Sequence, residues 1–390
     1  MMSVLTGQYV RLAIFARHNP LFAAMGRVAI TSVSYRSFPS RLALFAVLST
    51  AAGCTHLPPP RIADAQNAPV PQPIRSADAT TAEVQLDVLT FNIEGLGWPA
   101  RRGRGASLAQ IGETLARLRR EGRAPDVVLI QEMFSAAAVR AVQAMGYPNM
   151  IVGPSRTQRK RMAGTPAMAG PFRWKKGETG MHLVGSGLAI LSRYPIVAHD
   201  AEPFGKHRCA GLDCLSNKGM VHARITIPGV PQPIDLFDTH LNSQGASRVP
   251  AKRNGEAHRL QVGQLAHFID ASAQAGAPAI LGGDFNMRGS TERFDRFRST
   301  SRNFTLVHQY CEANRALCDV RMSWDGDAPW LDTEDLQLFH DGALVAVRPV
   351  RVEAMFDGAD GLPQLSDHDG FRVTYRLRWT PDAAKRPATG

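Results

Sequence analysis

The chain has 390 residues, 44% of them hydrophobic, and a formal net charge of +11. That composition is ample for a real core and excludes a wholly disordered chain, and the length accommodates several average domains or one large α/β domain with flanking segments. The positive charge favours anionic partners such as phospholipid headgroups, nucleic acid or phosphate esters, although the first 53 residues hold five arginines and no acids, so the remainder is only modestly basic.

In chain order, the first feature is an eleven-residue apolar run at 42–52, with Arg36 and Arg41 before it and Gly53 and Cys54 after it. It is too short to span a bilayer comfortably, and Ala51, Ala52 and Gly53 leave a peptidase room, so residues 1–53 are expected to be an export signal. The segment resembles a bacterial lipoprotein signal with Cys54 as the lipidated residue, although Ala51 stands where that motif usually has leucine. Plain secretion is the alternative, and Met25 is a second candidate start. Residues 54–80 turn to Pro, Ala and polar side chains and read as a linker; 81–379 reads as one folded domain and 380–390 as a polar tail.

Within that domain, strand-like and helix-like segments alternate. Strands are expected at 84–93, 126–130, 188–191, 220–227, 234–239, 277–281, 336–339, 344–352 and 371–377. Helical spacing is found at 108–120, through Ile111, Leu115 and Leu118, at 136–144, and at 255–273, through Leu260, Leu265, Phe268 and Ile269. Sheets with helices outside are implied. Four cysteines remain after Cys54, in two close pairs, Cys209 with Cys214 and Cys311 with Cys318. In an oxidising compartment they can form two disulfides; three connectivities are open, and the local one is favoured by closeness in sequence.

Polar, ligand-type residues recur where apolar strands end. The stretch ILGGDFNM carries Asp284 and Asn286 two residues apart, so a pleat would aim both at one face. Glycines 282 and 283 before them permit close backbone approach. LTFNIEG carries Asn92, LIQEMF carries Glu132, DTHLNS carries Asp238, His240 and Asn242 on alternate positions, and LSDHDGF carries Asp367 and His368. Each motif alone could be a turn, a cap or a hydrogen-bonded core histidine. Five of them, each closing an apolar strand, are hard to explain that way, and strand tips that meet at one rim make a site.

In this order the motifs resemble the endonuclease/exonuclease/phosphatase superfamily over about 88–378, and DCLSNKGMVHARI with GSGLAILSRYPI resembles its neutral sphingomyelinase branch. The resemblance implies a four-layer α/β sandwich with two central mixed β-sheets flanked by helices, and a catalytic domain that hydrolyses a phosphodiester with Mg²⁺, for which Mn²⁺ can substitute. It implies Glu132, Asn92 and Asp367 as metal ligands, in keeping with the hard oxygen donors that Mg²⁺ prefers. His368 becomes the general base, since imidazole titrates near working pH, and Asp335 in TEDLQLF its orienting partner, with Leu336 where relatives carry an aromatic. Asp284 would orient the water, Asn286 hold a phosphate oxygen and His240 stabilise the developing charge, with Asn242 and Lys218 assigned to substrate.

Between 153 and 185 lies an insertion with Arg156, Arg159, Lys160, Arg161, Arg173, Lys175 and Lys176 interleaved with Met162, Met168, Phe172 and Trp174. Such a mixture suits a membrane surface or a nucleic-acid backbone, and a solvated loop is equally compatible. The expectation is therefore an exported, lipid-anchored, monomeric Mg²⁺-dependent phosphodiesterase acting on a membrane phospholipid. A secreted nuclease is the alternative, and a catalytically silent binding protein the third.

Overall fold

Strand β2 (Ala82–Asn92) shows how the sandwich is built, because its two faces belong to different cores. Val84, Leu86 and Val88 point into one apolar cluster, whereas Leu89 and Phe91 point into another. The computed structural model describes residues 57–63, 69–78, 80–159, 168–321, 334–358 and 363–381. The export and lipidation assignments, including Cys54, and the insertion's Lys160, Arg161 and Met162 lie outside the described residues.

The described residues form two mixed sheets. Around β2 the first sheet assembles β1 (Ile74–Arg75), β3 (Val127–Gln131), β4 (Asn149–Val152), β5 (Ala189–Ser192), β11 (Asp319–Arg321), β13 (Ala346–Met355) and β14 (Gly370–Trp379). Its strand order is β11-β13-β14-β2-β3-β5-β4, with β1 pairing on β2. The second sheet has the order β10-β12-β9-β8-β7-β6, from β6 (Ile196–Pro203), β7 (Gly219–Ile225), β8 (Ile234–His240), β9 (Ala279–Asp284), β10 (Thr305–Leu306) and β12 (Asp335–His340). Parallel pairs β2·β3 and β8·β9 lie among antiparallel ones.

The inner faces of both sheets share one core, with Leu86, Val88, Leu129, Ile190, Val221, Leu236, Ile280 and Val373 all buried. Each such side chain contributes about 1.5–3 kcal/mol relative to leaving it in water. Helices α1 (Arg104–Arg120) and α2 (Ala136–Ala144) cover the outer face of the first sheet through Leu108, Ile111, Leu115 and Val142. The outer face of the second is covered by α3 (Ala251–Ser272) and α4 (Thr291–Thr300), through Val262, Leu265, Phe268, Phe294 and Phe297. The result is the expected order of helix, sheet, sheet, helix. A further helix, α5 (Val307–Ala313), carries Cys311, which is bonded to Cys318; Cys209 is bonded to Cys214, so the pairing is the local one.

The same alternation positions the polar residues. On β8, Ile234 and Leu236 face the inner core, so Asp238 and His240 continue that face toward the strand's end. Parallel β9 sets Asp284 in register with His240, and antiparallel β12 sets Asp335 opposite Asp284. Gly283 at φ 146 lets β9 pass β8 here, where a Cβ would collide with the Thr239 carbonyl oxygen. Beneath them lies a buried polar layer in which Gln131 Nε2 donates to Thr90 Oγ1 at 3.1 Å and Asp238 Oδ1 at 2.6 Å, joining the two sheets.

Candidate active site

At the end of the inter-sheet space, tips from both sheets converge. Asn92, the last residue of β2, donates from Nδ2 to Asp284 Oδ2 at 2.9 Å, and the same nitrogen lies 3.4 Å from His368 Nε2. Its backbone N–H donates to Asp335 Oδ2 at 3.1 Å. Ser366 Oγ donates to the Asn92 carbonyl at 2.7 Å and accepts from the His368 N–H at 3.2 Å, which ties the loop before β14 to β2.

His368 presents its two nitrogens to different partners. Nδ1 is 3.3 Å from Asp335 Oδ1, while Nε2 faces Glu334 at 3.6 Å and Asp284 at 4.0 Å. Burial disfavours the imidazolium, yet Asp335, Asp284 and Glu334 outweigh it and push His368 up to about 11. Asp284 is held well below the usual carboxylate range: its burial opposes ionisation, but His240, His368 and Lys218 prevail. Asp335 goes the other way, raised by its burial.

His240 Nε2 sits between Asp284 Oδ2 at 3.1 Å and Lys218 Nζ at 2.9 Å. A proton on that nitrogen favours the carboxylate and its absence favours the ammonium, so the partner of Nε2 depends on the tautomer. Lys218 also donates to the Leu241 carbonyl at 3.0 Å and pairs with Asp213 at 3.2 Å; Asp213 in turn accepts the Ser243 N–H. Asn286, in the left-handed region at φ 50, donates from Nδ2 to Asp284 Oδ1 at 2.9 Å and to the Leu241 carbonyl at 3.1 Å.

Glu132 follows β3 in a left-handed conformation at φ 63, unusual for this residue type, and turns the chain out of the strand at the same end of the sandwich. Gly95 packs so closely over it that a Cβ there would run into the Glu132 carbonyl. Burial raises the Glu132 carboxyl, His240 and Lys218 counter this, and Asp284 adds to it, so its charge belongs electrostatically to the cluster.

Two sequence candidates take other positions. Asp367 is half exposed, and its carboxylate pairs with Arg101 at 3.1 Å, an arginine that also pairs with Glu94. Asn242 is fully buried; its Oδ1 accepts the Ala210 N–H at 2.8 Å and its Nδ2 donates to the Ser243 carbonyl at 3.0 Å, which knits the loop after β8 into its surroundings.

Glu334 escaped the sequence reading although it neighbours Asp335. It precedes β12 in a bend, so strand alternation does not send it away from its neighbour, and Phe285 N–H to its carbonyl, 2.9 Å, fastens it to the tip of β9. Burial and the nearby Asp284 push it up to about 6.

Burial raises both Glu132 and Asp335 despite the cationic groups around them. Asp284, Asp335 and His368 offer ligand atoms within 4.8 Å of one another, a group different from the Asn92, Glu132 and Asp367 set expected from sequence. An acidic, oxygen-rich donor set of this kind fits a hard divalent cation.

Fold and site together define a four-layer α/β sandwich with a carboxylate, amide and imidazole cluster at one end of its paired sheets. The chain belongs to the Endonuclease/Exonuclease/phosphatase family, which it matches over residues 89–368. It is 26% identical over 198 residues to a sphingomyelinase of Dictyostelium discoideum, a match spanning 44% of this chain and 39% of that one. In fold it is similar to sphingomyelinase C from Streptomyces griseocarneus, with a TM-score of 0.52 and 20% identity, covering 75% of this chain and 99% of that one. Beta toxin from Staphylococcus aureus, solved with bound magnesium ions, superposes with a TM-score of 0.51 and 19% identity over 74% of this chain and 99% of the toxin.

Proposed function

We propose that this protein is an exported Mg²⁺-dependent phosphodiesterase that attacks the phosphoester of a membrane phospholipid with water, in the manner of a sphingomyelinase. The observation that carries this reading is the contact of Asp284 with both Asn92 and His240, with His368 4.0 Å away, at the meeting point of the two sheets. Family membership and the similarity to a sphingomyelinase support it.

In this reading Asp335 fixes the His368 ring through Nδ1, and a divalent cation held by the neighbouring carboxylates would offset the charge that keeps the ring protonated, so that Nε2 could accept a proton from the attacking water. Asp284 orients that water, Asn286 donates to a phosphate oxygen, and His240, backed by Lys218, assists the departing oxygen. Glu132 and Asn92 would hold Mg²⁺, with Asp367 in support once released from Arg101. The ion would neutralise charge developing on a phosphate oxygen.

Substrate choice draws on the insertion. Phe172 and Trp174 are 49% and 66% exposed, with Met181 and Leu183 at 69% and 61%, among the cations Arg173, Lys175 and Lys176. Exposed apolar side chains amid positive charge suit the interface of an anionic bilayer. Met168 does not join them: it is buried against Ala210, Ala257 and Leu260. Two disulfides favour an oxidising compartment.

Glu132→Gln tests the metal reading, because the amide keeps the shape and loses the anion. It should remove most Mg²⁺-dependent turnover while leaving the circular dichroism spectrum unchanged. Unaltered turnover with an unaltered Mg²⁺ titration would sink the assignment.

A further inference from the structure

In sequence, Arg293 looks like one more charge on a polar surface helix, TERFDRFRST. The structure buries it to 4% exposure instead, in the first turn of α4. Its guanidinium has no carboxylate at ion-pair distance among the described residues. Its hydrogen-bond acceptors are neutral oxygens, three of them backbone carbonyls on two loops. Nη1 donates to the Asn242 carbonyl at 2.7 Å and the Asn286 carbonyl at 2.9 Å. Nη2 donates to Asn254 Oδ1 of α3 at 2.7 Å and reaches the Ser243 carbonyl at 3.5 Å. Burial pulls its pKa down to about 10, which leaves it cationic at neutral pH.

Burying a cation without a hydrogen-bonded counter-ion is expensive, and the acids that offset it, Asp213, Glu334 and Glu292, act from beyond ion-pair distance, so the arrangement calls for a reason beyond packing. The identity of the acceptors supplies one. Asn242 lies two residues beyond His240 and Asn286 two residues beyond Asp284, so one guanidinium bridges the loops that leave β8 and β9. Asn286 is held on its other side by Asp284 and Leu241. We infer that Arg293 is a positioning residue for the reaction proposed above: it clamps the two loops in register and thereby sets the placement of Asn286 and His240 toward substrate. It touches the Asn286 backbone but none of the side-chain atoms assigned to the reaction. A planar fork of donors can serve carbonyls on two loops at once, and an ammonium cannot reproduce that geometry.

The inference rests on the phosphodiesterase reading, and the wild-type enzyme separates the two. Full-length Arg293→Lys and Arg293→Ala would be assayed with Mg²⁺ on bis(p-nitrophenyl) phosphate, alongside thermal melts, and Arg293→Ala also with added guanidinium or methylammonium at low millimolar concentration. A folded Arg293→Lys enzyme should lose about tenfold or more in kcat with KM nearly unchanged, the scale expected when reacting groups are misplaced by a fraction of an ångström. Guanidinium, and not methylammonium, should restore part of the activity of Arg293→Ala. An active wild type with equal kcat in folded Arg293→Lys would overturn the clamp, as would a loss that merely follows the unfolded fraction. An inert wild type would remove the underlying reading and the inference together.

Discussion

Three carboxylates surround the imidazole of His368, and they set what that residue can do. Its pKa near 11 lies above the ordinary 6.5, so the folded chain keeps a proton that the unfolded chain releases. The resulting stabilisation is complete below about pH 6.5 and is lost progressively as pH rises toward about 11. Thermal melts in EDTA should therefore fall across this window, and His368→Ala should flatten the dependence; equal slopes would remove the imidazolium cage. In the proposed reaction, with a bound cation offsetting those carboxylates, the same residue would serve as base, so His368→Ala should cost about a hundredfold or more in turnover. Asp335→Asn acts through the same Nδ1 contact and should add little in the double variant, whereas multiplicative losses would show that Asp335 does not orient the ring. At this scale Asn92, His240, Asp284 and His368 were legible because each closes an apolar strand or loop with an unusual polar residue. Arg293 was not, since its burial depends on two loops distant in sequence, and Glu334 was masked by the neighbour that drew attention first.

Elements with a strong period or a continuous apolar run were read nearly as they stand, and short, edge or mostly polar ones were missed. The alternation of β2 and the stripe of α3 were plain, although α3 starts a turn earlier, after Pro250. Strand β6 was overlooked because it is an edge strand whose middle residues are largely exposed, and α4 because its sequence is mostly polar around Phe294 and Phe297. The insertion was read as a basic and aromatic surface, and its far end proves anchored: Glu178 pairs with Arg253 of α3 and accepts the Arg173 N–H at 2.8 Å. That anchoring presents Trp174 outward while Phe172 leans on His207, their ring centroids 4.3 Å apart. Replacing Phe172 and Trp174 together with Ala should impair hydrolysis of bilayer substrate and spare a short soluble phosphodiester, because interfacial binding and the chemical step are separable. Equal loss on both substrates would show that the pair supports the fold or the site instead.

Across the whole molecule, the candidate site depends on two sheets packed face to face with their strand tips at one rim. Neither sheet holds the site alone: Asn92 and Glu132 come from the first, His240, Asp284 and Asp335 from the second, and His368 from the loop leading back into the first. The four-layer order was legible through the family's motifs, which fix strand sequence as well as chemistry. Substrate identity was not, since a phosphodiester centre has the same needs whether a headgroup or a nucleotide is attached. Purified protein assayed with Mg²⁺ and with EDTA on sphingomyelin vesicles, phosphatidylcholine vesicles, plasmid DNA and RNA bears most directly on that point. Mg²⁺-dependent release of phosphocholine from sphingomyelin vesicles, abolished by EDTA, is the expected result; robust cleavage of DNA or RNA with sphingomyelin left intact would contradict it.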